Sequence, residues 1–421
     1  MRATTFIVLV SCIACGDDGG APSDAGTEST TSSTTDGGST APTPSTGSSS
    51  TTTTATSSSG SSEESGSTSG GSPLGGCEGV SLLDKPEDPG MRGPWPVGAR
   101  TVAIDGLTVE VWYPAPIGSE ADAEPVVYDI RDALPESEQG KISDEDNPWQ
   151  PCDCWRDLPL DEEHGPYPAI VFVHGTASFR SQSLPQMVHW ASRGFVVLAA
   201  DHPGLRLADT LGSLCGAPMV PQDLAGNVQS VLAAVRGEAS GLEFLGDRLD
   251  ATRIGMAGHS AGGRAIASFG DDAQVLVPMA AGGTQFGDEL LSTLVLGGTA
   301  DSVVAYMQQR DGYADSPAPK RFVGIAEGGH LTFSEICSLA NAAGEDLLEI
   351  AMANDVCGAQ LAGFLFQCSP DLIADADGWA LVDYATAAAF EEMLHCDAAG
   401  ADAAFAAIED RFAYLVDFEE N

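Results

Sequence analysis

Basic residues are scarce in this chain. Lys and Arg number 18 among 421 residues, against 61 Asp and Glu, for a formal net charge of −43. Such a field repels a polyanion, and no basic patch interleaved with aromatics offsets it, so nucleic acid is excluded as a partner. The apolar run near the N-terminus, residues 6–10, falls far short of the roughly 20 residues a membrane span needs. A zinc-type ligand set is also missing. Cys152-Asp153-Cys154 has no second Cys or His pair downstream at zinc spacing, which favours disulfide chemistry over metal. What the chain does have is 43% hydrophobic residues, enough to build a core and to exclude a wholly disordered acidic polymer.

Composition divides the chain into three parts. Met1-Arg2, the short apolar run and then Ser11-Cys12-Ile13-Ala14-Cys15-Gly16-Asp17-Asp18 have the layout of a cleaved export signal. The small residue before Cys, followed by a polar tract, resembles a bacterial lipoprotein signal, in which the Cys becomes the acylated first residue. Cys15 is the favoured lipidation site because it gives a normal signal length and leaves eight later cysteines. Cys12, after Leu9-Val10-Ser11, is the alternative and would leave nine. Residues 16–76 are Ser, Thr and Gly with little to bury, and predict a flexible stalk. Residues 77–421 are expected to form one domain, with an insertion at about 114–167 and a helical extension at about 331–421. They hold 54 of the acids and 17 of the bases, a formal charge of −37, so the acidity belongs to the domain itself. Its eight cysteines, at 77, 152, 154, 215, 337, 357, 368 and 396, are expected to form disulfides after export, with the pairing left open.

Within the domain, strand-like and helix-like segments alternate, predicting an α/β fold: a mostly parallel sheet with helices on both faces. Residues 101–104 and 107–113 read as two strands around Asp105-Gly106, a hairpin dipeptide. Ala169-Ile170-Val171-Phe172-Val173 is a continuous apolar run, as a strand buried on both faces requires. The spacing predicts a helix over 181–193, a strand over 195–200 and a helix over 222–239. The chemical centre is Gly258-His259-Ser260-Ala261-Gly262, between a strand ending at Ala257 and a helix of small residues. G-x-S-x-G alone is weak in a chain with 49 glycines. The strand–turn–helix setting gives it meaning, because that turn holds a serine side chain exposed while glycines avoid collisions with nearby backbone.

A serine hydroxyl needs a base to take its proton and an acid to orient the base. Residues 292–301 read as a buried strand followed by a loop that carries Asp301, and His330 follows the strand-like residues 321–325. Both therefore sit beyond the carboxyl ends of strands, the edge of an open sheet where ligands gather. The candidate triad is Ser260, Asp301 and His330. Asp288 is the runner-up acid, with Asp271 and Asp272 read as a solvated helix end. His174 and His259 flank the site as structural histidines, and His202 is a candidate pocket residue. The backbone amides of Thr176 and Ala261 are the candidate oxyanion donors.

Several blocks together resemble the dienelactone-hydrolase-like and platelet-activating-factor-acetylhydrolase-like esterases of the α/β-hydrolase superfamily. They are Gly93-Pro94-Trp95-Pro96-Val97-Gly98, Val109-Glu110-Val111-Trp112-Tyr113-Pro114, Tyr167 through Gly175, Ala191-Ser192-Arg193-Gly194-Phe195, the serine turn and the Asp301 and His330 blocks. The resemblance runs from about residue 89 to 330. It implies the α/β-hydrolase fold and an acyl-enzyme mechanism on carboxylic esters, small or short-chain acyl esters favoured, with no metal or organic cofactor. The position of Asp301 is similar to the dienelactone and bacterial polyester-hydrolase arrangement rather than the acetylhydrolase one. The aromatics that polyester hydrolases place at Thr176 and after residues 275–281 are missing. A lipase or cutinase-like polyester hydrolase is the alternative, and a non-catalytic surface lipoprotein on a hydrolase scaffold the second. The expected location is exported: a lipoprotein at the periplasmic or cell surface, touching membrane only through its lipid, or secreted if not lipidated. The expected partner is a small-molecule ester. Oligomeric state is left open.

Overall fold

The structure, a computed structural model, describes Cys77 and residues 79–363, 366 and 368–421; the signal, the lipidation site and the stalk lie outside them. β1 (Val97–Ile104) and β2 (Leu107–Pro114) form the hairpin read from Asp105-Gly106, which takes up positive φ at both residues. β3 (Pro125–Tyr128), the single-turn α1 (Glu136–Gln139) and β4 (Gln150–Arg156) follow. Then come β5 (Tyr167–Val173), α2 (Leu184–Ser192), β6 (Val196–Ala200), α3 (Leu207–Leu214) and α4 (Leu224–Val235). β7 (Leu249–His259), α5 (Ala261–Ile266), β8 (Val275–Met279), β9 (Ser292–Gly298), α6 (Tyr306–Asp315) and β10 (Lys320–Ile325) complete the alternation. The extension carries α7 (Leu347–Ala353), α8 (Ala359–Ala362), α9 (Asp375–Leu394), α10 (Ala398–Arg411) and β11 (Leu415–Glu420).

All eleven strands join one sheet, in the order β11-β10-β9-β8-β7-β5-β6-β2-β1-β4-β3. The run from β6 to β10 is parallel throughout, and β2 and β11 close its two sides antiparallel. This is the α/β-hydrolase fold. The two-residue period of β5 sorts its side chains between two cores. Ile170 and Phe172 pack with Leu184, Met187 and Trp190 of α2 and Phe390 of α9. Ala169, Val171 and Val173 pack on the other face with Val228, Val231 and Leu232 of α4. Each large aliphatic side chain so buried contributes about 1.5–3 kcal/mol, which is why the parallel strands hold their register without help.

Two regions differ from the expectation. The segment read as an insertion adds strands: β4 pairs parallel with β1 at Gly98 and Ala99 and antiparallel with β3. Its inward positions are Gln150, Cys152 and Cys154, with the two cysteines joined by a disulfide, so the buried face carries a polar residue and no large apolar one. The extension is helical through α10 but ends in β11, which pairs with β10 along Arg321 to Ile325. α9 and α10 lie on one sheet face, whereas α7 and α8 join small apolar clusters that include Ala177 and Leu331, beside the candidate site.

The remaining disulfides link Cys77 to Cys396, Cys215 to Cys357 and Cys337 to Cys368. Four disulfides fit an oxidising, extracytoplasmic compartment. No helix among the described residues is long and apolar enough to cross a membrane.

Candidate active site

β7 runs straight into the serine turn. Ser260 sits at φ 55°, ψ −115°, a conformation that costs about 1–3 kcal/mol for a residue with a side chain. The surroundings over-determine it. The Ser260 amide donates to Met279 O at 2.9 Å, and Arg264 N–H donates to Ser260 O at 3.0 Å. A Cβ on Gly258 would lie 2.5 Å from the Gly262 carbonyl carbon, and one on Gly262 would lie 2.0 Å from Val173 O. Only glycine lets the start of α5 approach the end of β5 this closely. The hydroxyl is thereby held at the carboxyl edge of the sheet, only partly buried, at the N-terminus of α5.

His330 and Asp301 are brought to that hydroxyl from loops after β10 and β9. His330 Nε2 is 2.9 Å from Ser260 Oγ, and His330 Nδ1 is 2.9 Å from Asp301 Oδ2. A carboxylate oxygen only accepts, so Nδ1 carries the proton and Nε2 is free to accept the serine hydrogen. Asp301 is buried and fully engaged. Its Oδ1 accepts from the amides of Val303 and Val304, both at 2.8 Å, and its Oδ2 accepts from Gln309 Nε2 at 2.9 Å as well as from His330. Gln309, on α6 and without exposure, also receives Gly298 N–H on its Oε1. His259 pins the His330 loop, because its Nε2–H donates to His330 O at 2.8 Å. Burial, then the neighbouring His330, push the His259 pKa down to about 3, so this ring stays neutral.

The loop after β5 is held from both sides. Gly175 N–H donates to Gln182 Oε1 at 2.9 Å, and His174 Nδ1–H donates to Gly175 O at 2.8 Å. His174 Nε2 in turn accepts His202 N–H at 3.1 Å, which fixes the tautomer. In a trans peptide the C=O and the following N–H point in opposite directions. Tying Gly175 O to His174 therefore turns Thr176 N–H the other way. No described residue accepts from that amide, and Thr176 is exposed. A Cβ on Gly175 would lie 3.4 Å from Ser260 Cβ, so this loop abuts the serine. The Ala261 amide, first in α5, is one of those a helix cannot use internally.

The other sequence candidates fall elsewhere. Asp271 accepts from the Asp288 amide, and Asp272 pairs with Arg236, so none of the three meets His330. His202 is buried with both ring nitrogens unpartnered and lies against the His174 ring. Burial holds its pKa well below the usual range. Gln309 and Gln182 are members of the site that sequence reading missed. Gln309 lies on α6 and Gln182 in the turn before α2, neither with a motif around it, and only the fold reveals what each touches.

No curated protein matches the chain. Residues 150–206, from β4 through the Gly175 loop and α2 to the loop after β6, match the family described as platelet-activating factor acetylhydrolase, isoform II. The chain thus has an α/β-hydrolase fold in which the stretch that builds the Gly175 loop is similar to that of an ester-hydrolysing family.

Proposed function

We propose that the protein is a serine hydrolase of carboxylic esters, small or short-chain acyl esters favoured, that works through an acyl-enzyme on Ser260. The observation that carries this reading is the continuous chain Ser260 Oγ, His330 Nε2, His330 Nδ1, Asp301 Oδ2, with both links at 2.9 Å. His330 takes the Ser260 proton as Oγ attacks the ester carbonyl, and Asp301 stabilises the imidazolium that results. The oxyanion is held by the amides of Thr176 and Ala261, whose free N–H groups are already oriented before substrate arrives. Collapse of the tetrahedral species releases the alcohol, protonated by His330. Water then adds to the acyl-enzyme with the same histidine as base, and the acid leaves. Each step uses side chains and amides of this chain alone.

The domain's charge of −37 disfavours anionic substrates and anionic membrane surfaces, so a neutral ester fits best. Export with a lipid on Cys15, or on Cys12, is proposed with it, supported by the four disulfides. Hydrolysis of p-nitrophenyl acetate is the test. Ser260→Ala is expected to lower kcat by roughly 10⁴ to 10⁶. Undiminished turnover by that variant would overturn the proposal, and no turnover by the unaltered protein would leave the surface-binding reading in its place.

A further inference from the structure

The acidity of the domain is not spread evenly over its surface. Residues 210–222 and 356–370 hold no Asp, Glu, Lys or Arg, together 28 residues in which the chain average of 19% charged would supply about five. The two other runs as long within residues 77–421, at 165–179 and 273–287, contain the buried strands β5 and β8, where an ion would be costly. The first pair differs because much of it lies at the surface. Leu214 is 43% exposed, Met219 79%, Val220 37% and Leu361 59%.

The two uncharged stretches meet. Cys215, which caps α3, is bonded to Cys357, between α7 and α8. Leu211 and Leu214 lie against Gly358, where a Cβ would stand 3.0 Å from Leu211 Cδ2 and 3.4 Å from Leu214 Cβ. Leu361 follows, its N–H donating to Gly358 O at 2.9 Å. Ala217 N–H donates to Gly212 O at 2.9 Å, which holds the chain that leads to Met219 and Val220 against the end of α3. Side chains so exposed make an apolar patch of roughly a few hundred Å². The runs are bounded in sequence by Asp209, paired with Arg206, and by Asp223, Asp355 and Asp371.

That layout, a core depleted of charge with methionine in it and a charged rim, is the anatomy of a protein–protein interface. A surface that enters a lipid headgroup layer sets Lys or Arg beside its apolar residues, and neither run has any. A basic partner would be drawn to the acid-rich faces instead, whereas an uncharged face admits a partner as acidic as this chain itself. Two domains at −37 repel wherever acids face acids. Related by a two-fold axis through this patch, they bring uncharged surface onto uncharged surface. We infer that the face around the Cys215–Cys357 disulfide is the interface of a homodimer, with Leu214, Met219, Val220 and Leu361 of each copy at its centre.

Sedimentation velocity tests this on the full chain carrying Cys12→Ser and Cys15→Ser, so that no acyl group drives association. In about 0.5 M NaCl the protein is expected to pass from monomer at about 1 µM to dimer at about 100 µM. Association is expected to weaken in about 0.05 M NaCl, where the repulsion between the copies is less screened. Met219→Asp and Leu361→Asp each set two like charges at a symmetric contact, and each is expected to raise the dissociation constant by about 100-fold or more. Both positions are exposed, so the thermal unfolding of the monomer should be unchanged. Phe286→Asp, at a side chain 78% exposed in the loop between β8 and β9, is expected to leave the dimer intact. A monomer at every concentration, or a dimer that survives Met219→Asp and Leu361→Asp together, overturns the inference. Binding of a monomer to phosphatidylcholine vesicles, lost in Met219→Asp, overturns it as well and assigns the face to lipid.

Discussion

The turn that carries Ser260 and the cover beside it are held by unlike forces. At the turn, backbone meets backbone: Gly258, Gly262 and the end of β5 approach so closely that no side chain fits between them. The cover, made of residues 130–148, α3, α7 and α8, has only small apolar clusters and relies on covalent links across 142 and 31 residues. Close backbone packing fixes a reacting atom to within tenths of an ångström, as chemistry demands. Disulfides hold elements whose own apolar clusters are small. The comparison teaches that the serine turn and the cover beside it are held by separable means.

Breaking the turn should have the largest effect. Gly262→Val places carbon atoms where Val173 O already lies, and is expected to abolish hydrolysis and to cost about 1–3 kcal/mol of stability, read by chromogenic assay and chemical denaturation. Asp301→Asn should keep the fold and lower kcat by roughly 10⁴ with little change in KM. Gln309→Leu removes one of four donors to that carboxylate, and a fall in kcat of about ten-fold is expected. Equal losses in the two variants would mean that Gln309 does more than orient the acid.

Breaking the cover should separate stability from chemistry. Replacing Cys215 and Cys357 together by Ser opens a long loop and is expected to cost about 2–4 kcal/mol, while Ser260 remains reactive toward a fluorophosphonate. Loss of that labelling in a protein that is still folded would show the two regions to be coupled. A further effect is electrostatic, and pH exposes it. Glu335 N–H donates to Gln182 O, and its carboxylate accepts from Gln150, so it joins the base loop to the Gly175 loop and to β4. Burial, partly offset by the Gln150 hydrogen bond, raises its pKa to about 7. A raised acid contributes stability that is complete below its unfolded value, about 4.5, and is lost as pH rises through 7. Glu335→Gln removes that loss. Its Tm advantage over the unaltered protein should be absent below pH 4.5 and grow up to about pH 8. An advantage confined to acid pH would reverse the sign and contradict the burial argument.

Legibility in the sequence follows the same division. β5 is a plain apolar run and the serine turn a local pattern of five residues, so the strand, the turn and the loop beside it could be read directly. Asp301 and His330 were readable because each follows a buried strand, and the parallel topology brings such positions to one edge. β4 was not readable, since its inward face of Gln150, Cys152 and Cys154 has no large apolar residue to mark the alternation. Nor was β11, whose residues Leu415-Val416-Asp417-Phe418-Glu419-Glu420 earn a place in the sheet through ion pairs such as Arg321 with Glu420 and Arg310 with Asp417. Gln182 and Gln309 depend on contacts that only the folded chain makes, and no local pattern announces them.

The central claim is that an ester acylates Ser260. Rapid quenching of the protein with p-nitrophenyl butyrate, followed by peptide mass mapping, tests it most directly. A single butyryl group is expected on the peptide that contains Ser260, formed in a burst with p-nitrophenol release and missing in Ser260→Ala. Turnover with no acyl group on that peptide, or an acyl group on another residue that forms and decays at the turnover rate, would contradict it.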